Sequence, residues 1–248
     1  MVEESRLTKS NRLRPFFSYY GSKWRTAPKY PPPLESTIVE PFAGSAAYAL
    51  FYPHRQVVLN DLNPKVAALW RFLIRATKEE ILRIPLVATE EELKNVVPEE
   101  ARILIGFWWG KALVEPATKP TGWLNENNPK YNVQYWGVSR RERIAKQVDK
   151  IKHWTVLEKP YGEVANQRAT WFIDPPYKND AGGAYVHGKN DIDYDKLRAW
   201  CEERQGQTII CENKGADWLP ASGKQSILGE FKTARKRRSV EIFWTNQG

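Results

Sequence analysis

Two consecutive stretches between residues 36 and 76 share one plan, and that plan restricts the fold more than any other feature of the chain. "STIVEPFAGSAAYALFY" reads as a short strand at Thr37–Val39, a loop of small residues, then a helix from about Ser45. "RQVVLNDLNPKVAALWRFLIRAT" repeats it with a strand at Val57–Leu59, an acidic turn and a helix from about Pro64, whose apolar residues recur at helical spacing. Such alternation predicts a parallel sheet with helices packed on it. It returns late in the chain, with strands expected at His153–Leu157 and Thr170–Ile173, a helix at Tyr194–Arg204, and strands at Thr208–Cys211 and Val240–Trp244. No convincing helix joins the last two, so they are expected to pair antiparallel at an edge of the sheet. Residues 77–149 differ: short helices divided by prolines, an Asn- and aromatic-rich loop, then a basic helix near 139–152. The expected organisation is one α/β domain, 1–76 and 150–248, carrying a mostly helical insertion at 77–149.

Charge narrows the partners. The chain of 248 residues holds 38 Lys and Arg against 29 Asp and Glu, a net +9. That excess fits a polyanion such as nucleic acid, through phosphate neutralisation and counterion release, or a plain basic surface. Only two cysteines occur, Cys201 and Cys211, without a CxxC pair or a His-rich tract, so neither a disulfide framework nor a bound metal is expected. The N-terminus lacks the apolar core of a signal peptide, and no apolar run has the length of a membrane span. A cytoplasmic protein is expected, in a prokaryotic cell or encoded by a phage, working as a monomer or weak dimer.

Three loops leave the carboxyl ends of expected strands, where open α/β sheets bind ligands. The first, Glu40-Pro41-Phe42-Ala43-Gly44-Ser45, is small enough for a ligand to approach backbone, and it lacks the G-K-[ST] ending of a phosphate loop. The second, Asn60-Asp61-Leu62-Asn63-Pro64, places an acid where it can bind ribose hydroxyls. Asp61 could instead cap the following helix, but Asn63 before Pro64 suffices for that and leaves Asp61 for a ligand. The third is Asp174-Pro175-Pro176-Tyr177, which ends the apolar run Trp171-Phe172-Ile173. A capping acid explains Asp-Pro and gives no reason for the second proline or the tyrosine.

With "DPPY" after an apolar strand and "PFAGS" after an earlier one, the chain resembles the adenine-N6 DNA methyltransferases of the GATC-methylating type. "RPFFSYYGSKWR" is similar to that family's N-terminal cofactor motif, "VVLNDLNPKV" to its ribose-binding segment and "KRRSVEIFWTN" to its closing strand. The resemblance spans about 14–76 and 150–248 and implies a Rossmann-like methyltransferase fold with S-adenosylmethionine as cofactor. It implies that Tyr20, Gly21 and Lys23, with Phe42, Ala43, Gly44 and Ser45, surround the cofactor and that Asp61 holds its ribose. Asp174 and the Pro175 carbonyl, on a loop stiffened by Pro176, would accept hydrogen bonds from the target amino group, and Tyr177 would stack on the base. The chemistry is coherent: the adenine N6 lone pair is delocalised, and two acceptors favour the charge that develops on nitrogen. Proline fixes φ and removes a competing N–H. A base inside a duplex cannot reach such a pocket and would be flipped out.

The chain departs from the family at "LEKPYGEV", where Pro160 rather than an acid precedes Tyr161, and Glu158 is the candidate replacement for that cofactor contact. The insertion matches nothing that would give a target sequence. Its Arg140, Arg141 and Arg143, with Lys130 and Asn132, are the candidate DNA contacts, while Trp108, Trp109 and Trp136 are expected to form its core. Arg235, Lys236, Arg237 and Arg238 form either a phosphate-binding loop or a solvated hairpin. The glycine-containing loop 178–193 is a candidate cover for the flipped base. An N4-cytosine methyltransferase would use the same acceptors, but that group more often has serine before PPY. A protein glutamine methyltransferase usually has asparagine there. A catalytically silent DNA-binding relative would have no need of Asp61, Asp174 and Tyr177 together.

Overall fold

The computed structural model describes residues 12–110, 112–120, 136–232 and 238–247. Seven strands form one sheet: β1 (Thr37–Glu40), β2 (Gln56–Asn60), β3 (Thr155–Leu157), β4 (Ala169–Ile173), β5 (Gly206–Asn213), β6 (Lys224–Lys232) and β7 (Arg238–Thr245). Their order is β3-β2-β1-β4-β5-β7-β6. The first five run parallel, and β7 lies antiparallel to both β5 and β6. Strand order reverses between β1 and β4, so the loops leaving these neighbours diverge and open a crevice at their carboxyl ends. The fold is the expected Rossmann-like mixed α/β sheet.

Alternating side chains feed two cores, one on each face. Ile38, Leu59, Phe172 and Ile209 join the helices of one face, while Val39, Trp171, Ile173 and Ile210 pack with Leu197 and Trp200 on the other. All five β4 residues are therefore buried, as a central parallel strand covered on both sides requires. The first face carries α1 (Pro64–Arg75), α2 (Lys78–Arg83), α3 (Glu90–Lys94), α4 (Glu99–Trp109) and α5 (Val138–Ala145), and the second carries α6 (Tyr194–Glu202). Capping boxes start α2 at Thr77/Glu80 and α3 at Thr89/Glu92. Trp108, Trp109 and Trp136 are buried, in one continuous core with Trp70 of α1. Trp108 Nε1 donates to Phe16 O at 2.9 Å and Trp136 Nε1 to Pro85 O at 2.8 Å.

Three expectations are corrected. No α-helix starts at Ser45: the segment is a turn followed by a 3-10 helix at Ala49–Phe51. Gly44 and Ala46 have φ of +46° and +50°, left-handed values that an α-helix cannot contain. The basic stretch 139–152 divides into α5 and a 3-10 turn at Val148–Ile151. The strands expected at 208–211 and 240–244 do pair antiparallel, but an unanticipated strand, β6, forms the edge. Its register shifts between Ile227 and Gly229, which breaks the period-two pattern that would have revealed it. Among the described residues no helix is long and apolar enough to cross a membrane, and no group of His, Cys, Asp and Glu is placed to hold a metal ion.

Candidate active site

The crevice at the β1/β4 switch is built from loops that hold one another. Asn60, at the end of β2, donates from Nδ2 to Pro41 O and Lys159 O, both at 3.0 Å, and accepts from Lys159 N at 3.2 Å. One buried amide thereby fixes the loops after β1, β2 and β3. Ala43 N donates to Asn60 O at 2.9 Å, and Ser45 Oγ to Ser22 Oγ at 2.8 Å, which ties the N-terminal segment to the first loop. Trp70 Nε1 donates to Gly44 O at 2.8 Å and holds the left-handed turn from below.

Asp61 ties the first two loops together through its carboxylate. Oδ2 accepts from Gly44 N at 2.8 Å and Oδ1 from Asn63 N at 2.9 Å. Asn63 caps α1, accepting from Lys65 N at 3.0 Å, as expected. Asp61 is nevertheless not left free: each oxygen already serves one backbone donor, with a further lone pair apiece for a ligand hydroxyl. Burial pushes its carboxyl up to about 6, against the stabilising amides of Asn63 and Gly44. Glu40, at the end of β1, is also buried; it accepts from Ala49 N at 2.7 Å, and burial pushes it up to about 8.

Asp174 ends β4 and meets Lys23. Lys23 Nζ lies 2.9 Å from Asp174 Oδ1 and 3.4 Å from Glu241 Oε1, and it donates to Gly21 O at 3.1 Å. Burial disfavours the Lys23 ammonium, but the two carboxylates outweigh it and raise its pKa. Burial pushes Asp174 up to about 6 despite Lys23. The loop after Asp174 is fixed at successive points. Tyr194 Oη donates to Pro176 O at 2.6 Å, Tyr177 Oη to Glu241 Oε1 at 2.7 Å, and Lys178 N to Glu212 Oε1 at 2.7 Å. The Tyr177 ring has Lys23 Nζ 4.6 Å from its centroid.

A cleft of about 1070 Å³, counting its open mouth, joins these groups. Tyr20, Gly21, Lys23, Phe42, Ala43, Gly44, Ser45, Asp61, Asp174 and Pro176 all line it. Pro175 and Tyr177 sit beside that lining on the same loop. Phe42 and Tyr161 form one aromatic wall, centroids 5.4 Å apart. Tyr185, from the loop 178–193, covers the N-terminal segment, 5.4 Å from Tyr20. An added Cβ on Gly21, whose φ is +69°, would stand 2.2 Å from Tyr185 Oη.

Other expected residues lie elsewhere. Glu158 is absent from the lining; its carboxylate pairs with Arg71 at 2.7 Å, while Lys159, Pro160 and Tyr161 face the cleft. Arg141 and Arg143 donate to the carbonyls of Ile84 and Pro15 at 2.8 and 2.9 Å, and Arg140 stacks 3.8 Å from the Trp108 centroid. These three guanidiniums therefore tie α5 to the helical segment at Ile84 and Trp108 and to the N-terminal segment at Pro15. Burial, with Arg140 and Arg14 nearby, lowers Arg143 to about 10. Lys130, Asn132, Arg235, Lys236 and Arg237, and the side chain of Arg238, lie outside the described residues.

Residues 19–99 match the D12 class N6 adenine-specific DNA methyltransferase family. The match takes in Tyr20 to Lys23, the 41–45 loop and Asp61, and it stops before Asp174. No curated protein matches the chain. Among solved structures it is similar to a conserved hypothetical protein from Streptococcus pyogenes, with 14% identity, 86% of each chain covered and a TM-score of 0.36. It is also similar to the glycopeptide N-methyltransferase MtfA solved with (S)-adenosyl-L-methionine, with 13% identity, 92% of this chain and 68% of that one covered, and a TM-score of 0.35.

The sequence placed Glu40 and Asn60 in the first two loops without a role for either, and gave none to Tyr185, Tyr194, Glu212 and Glu241. A signal existed for the last two: each is an acid embedded in or ending an apolar strand, "IICEN" and "VEIFW", as Asp174 is. Burying a carboxylate is costly, so such an acid has a partner or a task.

Proposed function

We propose that this protein is a DNA adenine-N6 methyltransferase that uses S-adenosylmethionine. The observation that carries the reading is one cleft joining Asp174 and its diproline loop to Asp61 and the small-residue loop 41–45. The match of residues 19–99 with the adenine-specific family supports it. The residues fit the cofactor: Asp61 retains lone pairs for ribose hydroxyls, Phe42 and Tyr161 offer aromatic faces, and Gly44 presents backbone without a side chain. When bound, the cofactor supplies a methyl group on a sulfonium centre.

The chain's own contribution is positioning. Asp174 and the Pro175 carbonyl accept hydrogen bonds from the target N6 amino group and stabilise the positive charge that grows on nitrogen. Tyr194 fixes the Pro176 carbonyl and Glu212 the Lys178 amide, so these acceptors lose little order when substrate binds. Tyr177 stacks on the flipped base, and the basic surface holds the DNA duplex, with 77–149 carrying target recognition. N4-cytosine transfer would need the same acceptors; the carboxylate at 174 and the family match favour adenine. Incubation with labelled S-adenosylmethionine and defined duplexes tests this: label should enter adenine-containing DNA with wild type and not with Asp174→Ala.

A further inference from the structure

The Lys23 ammonium has three N–H bonds and three acceptors: Gly21 O at 3.1 Å, Asp174 Oδ1 at 2.9 Å and Glu241 Oε1 at 3.4 Å. One buried cation thus serves two carboxylates, Asp174 just past β4 and Glu241 within β7. The same Glu241 oxygen accepts from Tyr177 Oη at 2.7 Å. Glu241 is itself buried, pairs in register with Asn213 of β5, and lies beyond the cleft lining. A buried strand carboxylate serves packing poorly, since an apolar residue would fill the site at lower cost. A hydrogen bond at Oη cannot stop a phenol ring from turning about its own axis. It does fix where that axis points, and with Lys23 at 4.6 Å the ring's place is fixed from two sides.

We infer that Glu241 is a positioning residue for the transfer reaction: it aims the Tyr177 ring and holds Lys23 against Asp174, without touching substrate or cofactor. This rests on the functional reading above. It makes β7 part of the catalytic apparatus, through two contacts rather than through chemistry of its own.

The test compares three single variants and one double variant in labelled methyl transfer to duplex DNA, with 2-aminopurine fluorescence at the target adenine as a second readout. Glu241→Leu removes both contacts, Glu241→Gln keeps an acceptor for Tyr177 Oη, and Tyr177→Phe keeps the ring but loses the bond. Glu241→Leu should lower kcat roughly ten- to hundredfold while KM for the cofactor changes little, the signature of misplacement rather than lost binding. Glu241→Gln should recover most of that loss. Tyr177→Phe combined with Glu241→Leu should be no worse than Glu241→Leu alone, since both lose the same bond, and the 2-aminopurine signal of the target should depart from wild type to the same extent in both Glu241→Leu proteins. A wild type that transfers no methyl group would overturn the functional reading and this role with it. An active wild type matched in kcat by a folded Glu241→Leu would overturn this role alone.

Discussion

Lys23 Nζ stands 2.9 Å from Asp174 Oδ1, the distance at which a target amino nitrogen would have to stand to donate to the same oxygen. The ammonium therefore satisfies one acceptor of the proposed catalytic carboxylate before any base arrives, and it favours the charged form of that buried group. On the proposed function an incoming base would share Asp174 with Lys23 or take its second oxygen. Either way segment 19–23 and the loop after β4 are linked by one ion pair.

The first prediction concerns pH. Burial raises Asp174 to about 6, and the proposed reaction needs its ionised form. Activity should be full well above pH 6 and should fall as pH drops through it. In Lys23→Met the opposing cation is gone, so the acidic limb of kcat/KM should move to higher pH. Asp61 titrates in the same window, also near 6, so Asp61→Asn serves as the second arm. Profiles of kcat/KM against pH for the three proteins check this; an unmoved limb in Lys23→Met would contradict the pairing.

Asp61→Asn itself carries a second prediction. The carboxylate accepts from Gly44 N and Asn63 N, one on each oxygen. An asparagine can accept from only one of them and turns its own N–H₂ toward the other. Leaving one buried amide unpaired costs about 1–3 kcal/mol, before any lost ribose contact. That cost falls on stability; losing the charged acceptor for the ribose hydroxyls, worth about 1.5–3 kcal/mol, should lower cofactor affinity by calorimetry roughly ten- to hundredfold. An unchanged affinity would remove Asp61 from the cofactor site.

Glu40 predicts a stability effect of definite sign. Its folded carboxyl is raised to about 8 by burial, above the ordinary value, so the folded state holds a proton that the unfolded chain has released. Stability should therefore decline as pH rises from the ordinary carboxylate range to about 8, then level off. Glu40→Gln keeps an acceptor for Ala49 N and cannot ionise. Its melting temperature should gain on wild type between pH 6 and 9, as measured by thermal scans.

Much of this architecture could be read from the chain because strands and helices each have a period. β1, β2, β4 and α1 were found within a residue or two of where apolar spacing put them. The loop after β1 escaped because its left-handed turn is held by Trp70 Nε1 on Gly44 O, from the following helix, and by Glu40 on Ala49 N, neither of which apolar spacing reveals. The cleft was legible wherever an acid or small residue closes a strand. For Arg140, Arg141 and Arg143 the run of cations showed only their charge, because their contacts to Trp108, Ile84 and Pro15 bring together residues far apart in sequence.

Gly44→Ala isolates the backbone requirement of the first loop. Its φ of +46° is strained for any side chain, and a Cβ would meet the Tyr19 ring at 3.0 Å. The left-handed conformation alone costs about 1–2 kcal/mol, a melting-temperature loss of roughly 2–8 °C for a chain this size. Thermal scans should show that loss, with weaker cofactor binding as Trp70 and Asp61 lose their hold on the turn.

The central claim is that Asp174 and its loop methylate adenine in DNA. The most direct measurement is nucleoside mass spectrometry of DNA from cells that lack adenine methylation of their own and express this protein. N6-methyladenine should appear with wild type and be absent with Asp174→Ala. Wild-type DNA without N6-methyladenine, from cells in which the folded protein is abundant, would contradict the account.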